Sequence, residues 1–381
     1  MLFGKKVNLL RVRSLCINLV FLSLGGIFST FLVGCNKNSV DAGKKRGPYW
    51  ITFNKAGKQL INNNVNALFQ DLDGIIWIGT DSGAASFNHG IWNSVLNEVS
   101  WTSITTGGTT TLSSVSSITQ GQDGSIWFGL KGGGIARYNQ FGAAFTWKRY
   151  TMNDGIPWTY ILSVCRGQTA GSGQVAGEVW CTTLYGIARF IPSTNQGGQW
   201  LKYSTSNTPT LPSDQVRACA FDFVDNTVWF GTPEQLVSFY QTDQSDQWAT
   251  VPIAAPYNLP ITSIAFDAHN IAWVGKWQGV SSVNISTPGD EHDYTNGNTN
   301  GKLPLGFVNA VTTNLDTIRW FGTNNGLVRF SGTGTWMTFN RQNTPSLPSD
   351  TVTALTYDLN GNLWIGTYNG VAVFNEAGTI F

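Results

Sequence analysis

The chain has 381 residues, of which only 12% are charged and 43 are glycine. Helix-forming runs rich in Ala, Glu, Lys and Leu are absent, so the composition argues against a helical protein and favours an all-β fold with many tight turns. The formal net charge is +1. Beyond the first 34 residues no basic cluster occurs, which argues against nucleic acid as a partner.

The first 34 residues read as a secretory signal. Four basic residues lie near the start, namely Lys5, Lys6, Arg11 and Arg13. An uncharged apolar run, 15–33, follows them. Leu32-Val33-Gly34-Cys35 resembles the lipobox of bacterial lipoproteins, which implies lipidation at Cys35. An uncleaved anchor or an ordinary signal peptide is the alternative. Several acyl chains, each stabilising by about 0.8 kcal/mol per buried CH₂, would hold the protein on a membrane.

Removal of this signal leaves 19 Lys and Arg (23 − 4) against 22 Asp and Glu, a net charge of −3. Asn36 follows the cysteine without an acidic run, and by resemblance to lipoprotein sorting rules this predicts the outer membrane of the cell envelope. The segment 35–48 reads as a flexible tether.

Seven copies of one short sequence motif follow. In each a tryptophan stands before a small turn, and in six of them an aliphatic residue precedes the tryptophan. Their tryptophans are Trp77, Trp127, Trp180, Trp229, Trp273, Trp320 and Trp364. The gaps between them are 50, 53, 49, 44, 47 and 44 residues. A period of roughly 40–50 residues indicates a propeller or a solenoid.

The last unit shows three predicted strands, 352–358, 362–367 and 371–374, separated by turns that contain Asn-Gly. A fourth strand of pattern Trp-x-x-apolar is predicted at 101–104, 147–150, 200–203, 248–251 and 336–339, with a degenerate copy near Asp293-Tyr294. The seventh unit has none, but Trp50–Phe53 precedes the first unit. We therefore predict an all-β seven-bladed β-propeller over 49–381, with four antiparallel strands per blade and a 1+3 closure by strand 49–53.

The repeat Leu-Pro-Ser-Asp-x-Val, followed by Asp-x-x-Gly-x-Leu-Trp-Ile-Gly-Thr, resembles the two-component-regulator propeller repeat. Residues 211–216 and 347–352, with 358–371, carry it best, and the third and fifth units depart most. The resemblance implies an extracytoplasmic sensor region of the kind found in bacterial hybrid histidine kinases, which often respond to glycans. No further blades, β-sandwich or kinase follow in this sequence, so we carry over the binding module and not signalling.

Thirteen of the 16 tryptophans belong to the two structural patterns. The surplus consists of Trp92, Trp158 and Trp277. The loop entering each first strand and the turn after each second strand share one end of a propeller, which places Trp158 and Trp277 together. Trp92 is expected in a third-to-fourth-strand connection at the opposite end.

The end that carries Trp158 and Trp277 is also expected to display Tyr160, Lys131, Tyr185, Glu234, Lys276 and Tyr368. Aromatic rings beside Lys and Glu suit a glycan, since the C–H faces of sugars stack on rings and their hydroxyls accept hydrogen bonds. The alternative is that these aromatics pack the loops onto the blades.

Seven residues near the starts of the first strands are predicted to border the central channel: Asn66, Ser116, Leu162, Arg217, Thr262, Asn309 and Thr353. Arg217 is the only charged member. It is predicted either to hold an anionic group such as a uronate or to pair with a neighbour such as Asp214.

Catalysis is weakly supported. Seven-bladed lyases that act on streptogramins resemble this repeat style and rely on histidine, but His89, His269 and His292 are expected at the end opposite Trp158. No metal-ligand spacing or cofactor motif occurs, so neither a metal nor a cofactor is expected. Cys165, Cys181 and Cys219 remain after processing; Cys165 and Cys181 either form a disulfide or, as favoured, stay free and buried.

These observations predict a membrane-tethered extracytoplasmic module that binds a glycan or another small ligand. A protein-interaction scaffold of the cell envelope is the alternative, and a propeller lyase or hydrolase a third.

Overall fold

The structure is a computed structural model. It describes residues 48–88, 90–96, 114–139, 146–168, 177–193, 197–233, 235–241, 245–253, 260–287, 289–314 and 317–378. These residues form seven antiparallel sheets of four strands each. The first strand of each sheet contacts the first strand of the next, and the last contacts the first. The predicted all-β seven-bladed propeller is therefore confirmed.

Blades 1 to 4 follow the chain in order. Blade 1 contains β2 (Val65–Gln70), β3 (Ile76–Thr80), β4 (Gly83–Asn88) and β5 (Ile91–Leu96). Blade 2 contains β6 (Val115–Gln120), β7 (Ile126–Leu130), β8 (Gly134–Asn139) and β9 (Thr146–Tyr150). Blade 3 contains β10 (Ser163–Arg166), β11 (Val179–Thr183), β12 (Gly186–Pro192) and β13 (Gly198–Tyr203). Blade 4 contains β14 (Ala218–Asp222), β15 (Thr227–Gly231), β16 (Gln235–Gln241) and β17 (Asp246–Pro252).

Blades 5 to 7 complete the ring. Blade 5 contains β18 (Ser263–Phe266), β19 (Ile271–Lys276), β20 (Gly279–Asn284) and β21 (Glu291–Thr295). Blade 6 contains β22 (Val308–Thr313), β23 (Ile318–Thr323), β24 (Gly326–Ser331) and β25 (Trp336–Phe339). Blade 7 contains β26 (Val352–Tyr357), β27 (Leu363–Thr367), β28 (Gly370–Asn375) and β1 (Tyr49–Phe53). The described residues also contain one short 3₁₀ helix, Met152–Asp154, and none of their helices is long and apolar enough to cross a membrane.

The repeated tryptophan motif forms the buried second strand of every blade. Trp364 of β27, for example, packs in one cluster with Val65 and Ile78 of blade 1. The glycine two positions after the tryptophan lets neighbouring blades approach, since a Cβ built at Gly366 would lie 2.8 Å from Cγ1 of Val65. Six of the seven motifs carry this glycine, and the exception is Thr182 in blade 3.

The ring closes through the N-terminal strand, as predicted. β1 pairs with β28 over its whole length, and Trp50 lies opposite Phe374 with their ring centroids 4.7 Å apart. The N-terminal strand thereby completes blade 7 as its outermost strand, and backbone hydrogen bonds within one sheet join the two ends of the propeller.

The predicted fourth strand of blade 1 at 101–104 is wrong, because β5 occupies that place. Residues 101–104 lie outside the described residues. Trp92 pairs with Phe87 in the register of β4 and β5, and the two rings pack 4.9 Å apart. Trp92-Asn-Ser-Val95 also fits the pattern Trp-x-x-apolar, and its short link to β4 makes the pairing local. Trp92 is therefore part of a blade and not of a connection.

The Leu-Pro-Ser-Asp motif closes the loop that leads into a first strand. In its first copy, Oδ1 of Asp214 accepts the backbone N–H of Thr205 at 2.7 Å, and the Asp214 carbonyl accepts the N–H of Gly186 at 2.8 Å. The same two kinds of bond recur at Asp350 in the second copy. The motif thus fastens each loop to the turn of the preceding blade.

The cysteines lie on different faces of blade 3. Cys165 is opposite Trp180 and Val164 is opposite Cys181, so the side chains of Cys165 and Cys181 point to opposite faces of the sheet. Both are buried and free, as favoured above, and Cys165 packs towards Cys219 of blade 4. A disulfide between Cys165 and Cys181 is therefore excluded by this geometry.

Candidate functional site

The loops that enter first strands and the turns between second and third strands share one end of the propeller, as predicted. We call this end the loop face. It carries Trp158 and Tyr160 before β10, Tyr185 between β11 and β12, and Trp277 between β19 and β20. These four side chains are each 39–58% exposed, so they present aromatic surface to solvent.

Three of them lie on blade 3, and we define Trp158, Tyr160 and Tyr185 as the aromatic shelf. The rings of Trp158 and Tyr185 pack with centroids 4.8 Å apart and planes at 42°. The Tyr185 N–H donates to Oγ1 of Thr183 at 2.9 Å, which fixes the turn. Tyr160 forms an isolated backbone bridge with Lys131, so the shelf is supported from blade 2.

The Lys131 side chain turns towards blade 1. Its Nζ donates to Oδ1 of Asn66 at 3.1 Å and lies 3.9 Å from Oδ1 of Asp81. Burial alone would raise the pKa of Asp81, but hydrogen bonds from Asn66, Ser114 and Asn64, with the charge of Lys131, lower it. This ammonium is therefore held in a polar cluster of blades 1 and 2.

Lys276 is buried, against the expectation that it is displayed. Its Nζ donates to Oδ1 of Asp293 at 2.7 Å, and the hydroxyl of Ser281 contacts the same carboxylate oxygen. Asp293 lies on β21, so the pair crosslinks strands of blade 5. The charge of Lys276 is thereby satisfied inside the blade.

A second exposed apolar group lies on the loop face of blades 5 and 6, and we call it the blade 5–6 cluster. Trp277 stacks on Phe307 with centroids 5.5 Å apart and planes at 15°, and Leu305, two residues before Phe307, is 60% exposed. Phe307 and Leu305 were not among the residues predicted from the sequence. Their signal was a phenylalanine placed directly before a first strand, where blades 1, 2 and 7 carry Asn64, Ser114 and Thr351.

Tyr368 is 56% exposed in the turn between β27 and β28 of blade 7. Glu234 lies outside the described residues. The structure thus brings the rings of Trp158 and Tyr185 into contact, places Tyr160 in the same loop as Trp158, and leaves Trp277 and Tyr368 on other blades.

The predicted channel residues of blades 5 to 7 tie neighbouring blades together. Thr262 donates to the Val308 carbonyl at 2.5 Å, and Thr353 donates to the Val65 carbonyl at 2.5 Å. Asn309 makes the equivalent bond to the next blade. Arg217 does not pair with Asp214: within the described part of the chain no carboxylate lies within ion-pair distance of its guanidinium.

The two described histidines lie at the end opposite the loop face, as predicted. His269 and His292 are exposed and line a cavity of about 470 Å³ together with Asp290. His89 lies outside the described residues. No group of three or more His, Cys, Asp or Glu in the described ranges is arranged to hold a metal ion.

Two segments of the sequence match a known family, and several solved structures have a similar fold. The sequence matches the two component regulator propeller family at 59–82 and 346–369. No curated protein sequence matches the chain.

Solved structures of similar fold include the extracellular domain of the hybrid two component system BT3049 from B. thetaiotaomicron, with 21% identity and a TM-score of 0.64 over 86% of this chain and 42% of that one. PorZ, a surface component of the type-IX secretion system of Porphyromonas gingivalis, is 16% identical with a TM-score of 0.62 over 82% of this chain and 46% of that one. Virginiamycin B lyase from Staphylococcus aureus is 15% identical with a TM-score of 0.60 over 86% of this chain and 99% of that one.

The chain spans less than half of the first two structures, and all three likenesses concern the fold alone. Each matched segment covers the loop that enters a first strand and the first two strands of a blade, in blade 1 and in blade 7. The chain is a seven-bladed β-propeller that carries two component regulator propeller repeats.

Proposed function

We propose that the chain is an extracytoplasmic binding module that recognises a glycan, or another small ligand with an apolar ring face, on the aromatic shelf. The observation that carries the proposal is the exposed pair Trp158 and Tyr185, whose rings pack 4.8 Å apart on the loop face. Binding without turnover is favoured because the described histidines lie at the other end.

The chemistry of the shelf fits this class of ligand. A sugar ring offers C–H groups on its faces and hydroxyls at its edge, so it stacks on an aromatic plane while its rim stays hydrogen-bonded. Tyr160 and Tyr185 each add a phenolic hydroxyl, which can donate and accept. Both are about half exposed, so a ligand reaches them without a change of fold.

The proposed setting is the cell envelope, with lipidation at Cys35 as the anchor to the outer membrane. The lipobox-like sequence before Cys35 supports this part of the proposal. The test is membrane fractionation of Cys35→Ser beside the parent, with labelling by a palmitate analogue. Loss of both the label and the membrane fraction is expected; a Cys35→Ser protein that stays labelled and membrane-bound contradicts the anchor.

The glycan proposal is tested with a double variant, Trp158→Ala/Tyr185→Ala, on a glycan array and by calorimetry. Binding should weaken at least tenfold, since each lost aromatic contact is worth about 0.5–1.5 kcal/mol beyond its buried area. Tyr240→Ala is the matched control, because Tyr240 is 44% exposed on β16 and away from the shelf. Equal binding by the double variant and the parent overturns the proposal.

A protein-interaction scaffold is the second candidate, favoured by the blade 5–6 cluster. Trp277 and Phe307 stack at the surface, and Leu305, two residues before Phe307, is a third exposed apolar side chain. Exposed apolar patches mark interaction sites. Trp277→Ala/Phe307→Ala should abolish crosslinking to an envelope partner while glycan binding stays unchanged. Unchanged crosslinking would remove the support for this candidate.

A further inference from the structure

The ring of residues at the loop-face end of the central channel is regular on one side only. On blades 5, 6 and 7 the ring side chains Thr262, Asn309 and Thr353 each donate a hydrogen bond to a valine carbonyl of the next blade. These bonds satisfy the side chains and fasten adjacent blades. The corresponding positions of blades 2, 3 and 4 are Ser116, Leu162 and Arg217.

We call the ring positions of blades 2 to 4, together with the neighbouring Thr182, the second arc. It contains buried polar atoms that have no hydrogen-bond partner among the described residues. Oγ of Ser116, Oγ1 of Thr182 and Nε of Arg217 are each buried, and none makes a hydrogen bond with the described residues. Most buried polar groups in folded proteins are paired, and an unpaired one costs roughly 1–3 kcal/mol. The lack of partners at these three atoms on adjacent blades therefore needs an explanation, whereas the ring side chains of blades 5 to 7 are already hydrogen-bonded.

Thr182 also distinguishes this arc in the amino-acid sequence. It occupies the position at which all other blades carry glycine, and it is fully buried. In blade 4 a Cβ at that glycine, Gly231, would lie 2.5 Å from Cγ2 of Ile261 of the next blade. Blade 3 instead accommodates a whole threonine side chain against blade 4, so this interface departs from the repeat.

The arc lies next to the aromatic shelf. The Leu162 N–H donates to the Thr182 carbonyl at 3.0 Å, and the Val216 N–H donates to the Thr183 carbonyl at 3.0 Å. Thr183 also holds the Tyr185 turn of the shelf. Arg217 follows Val216 directly. The backbone of Arg217 is therefore linked to the shelf through Thr183 at the end of β11.

We propose that the ligand of the shelf is an acidic sugar and that Arg217 binds its carboxylate at the channel mouth. The inference rests on the proposed function of the shelf and adds the class of ligand. Arg217 has no acidic partner among the described residues, and a guanidinium matches a planar carboxylate through two parallel hydrogen bonds. The hydroxyl oxygens of Ser116 and Thr182 are closed to solvent, so Arg217 is the residue of this arc that we assign to the ligand.

The experiment compares trigalacturonate with its fully methyl-esterified form, which has the same sugar rings and no charge. Calorimetry is done on the parent, Arg217→Gln, Arg217→Lys and Arg341→Gln, with inorganic sulfate as a further anion. Arg341 is an exposed arginine on the loop face between blades 6 and 7 and serves as the matched control. Thermal unfolding of each variant is recorded in parallel.

The parent should bind the acid at least tenfold more tightly than the ester, and Arg217→Gln should remove that preference. Arg217→Lys should keep only part of it, because an ammonium cannot bind two oxygens in a plane. Arg341→Gln should leave the preference intact, and the midpoint of unfolding of Arg217→Gln should match the parent.

Four results overturn the inference. Equal binding of acid and ester does so while leaving the proposed function standing, as long as Trp158→Ala/Tyr185→Ala abolishes both. Failure of both sugars to bind also overturns it, and the glycan array then decides whether the shelf binds another sugar. Sulfate binding that is as tight as that of the acid shows a general anion site. A large fall in the unfolding midpoint of Arg217→Gln shows that Arg217 is structural.

Discussion

Oδ2 of Asp358 accepts a hydrogen bond from the indole Nε1 of Trp364 at 2.9 Å, six residues along the chain. The other oxygen, Oδ1, accepts the backbone N–H groups of Asn360 and Asn362, so one carboxylate caps the turn and holds the core tryptophan. The same arrangement recurs at Asp71 and Asp267 in blades 1 and 5. Gly361 completes the turn with a φ of 78°.

Replacing Asp358 with alanine should lower the free energy of unfolding by about 3 kcal/mol, because each buried donor left without an acceptor costs roughly 1–3 kcal/mol. Urea unfolding followed by tryptophan fluorescence measures the change. Asp222→Ala is the matched control, since its Oδ2 and Nε1 of Trp229, seven residues away, already lack partners. The control should cost less; an equal or larger cost for Asp222→Ala contradicts this role of the pair.

The pH dependence of stability should have opposite signs at two equivalent aspartates. Burial raises the pKa of Asp222, so its protonated form favours folding and that contribution is lost as the pH rises through its folded-state pKa. Burial alone would also raise the pKa of Asp267, but hydrogen bonds from Trp273 and Arg319 lower it. Its contribution is therefore present at neutral pH and lost as the pH falls through the folded-state pKa.

Asn substitutions measure this difference. The stability of Asp222→Asn minus that of the parent should be larger at pH 7 than at pH 4. Asp267→Asn should be less stable than the parent at pH 7, because Arg319 loses its partner. Urea midpoints of both variants across this pH range give the result. Parallel profiles for the two variants would contradict the assignment.

Deleting 49–53 should remove the closing strand and expose the edge of β28. We expect a loss of the cooperative unfolding transition or the formation of oligomers, since an open sheet edge pairs with other chains. Calorimetry and light scattering detect both outcomes. Tyr49→Ala, at the exposed end of the strand, is the control. An unchanged midpoint of thermal unfolding in the deletion variant would contradict the role of this strand in closing the ring.

Peptide mapping after alkylation should find Cys219 modified before Cys165 and Cys181 in the folded protein. Cys219 is half-buried, whereas burial raises the pKa of the Cys165 and Cys181 thiols and keeps them unreactive. Any disulfide formed on oxidation should join Cys165 to Cys219, which pack together between blades 3 and 4. A peptide linking Cys165 to Cys181 would contradict the register of β10 and β11.

The repeat was readable from sequence because each blade is a local unit. Its strands pair with their neighbours along the chain through short turns, so spacing alone located Trp364 and its six counterparts. The closing strand was also predictable, because Trp50 matched a pattern that the seventh unit lacked. The fourth strand of blade 1 was misassigned because two segments fit one pattern, and only the pairing of Trp92 with Phe87 distinguishes them.

The sequence by itself determined the number of blades, the closure and the end at which Trp158 and Trp277 lie, since these depend on periodicity and on strand alternation. Only the tertiary structure decided which polar groups are available. In the sequence nothing distinguishes Lys276 and Lys131 from exposed lysines that are free to bind a ligand. In the structure Lys276 donates to Asp293 on another strand of its blade, and Lys131 donates to Asn66 of another blade. Arg217 keeps no such partner among the described residues, a property of packing that no spacing reveals.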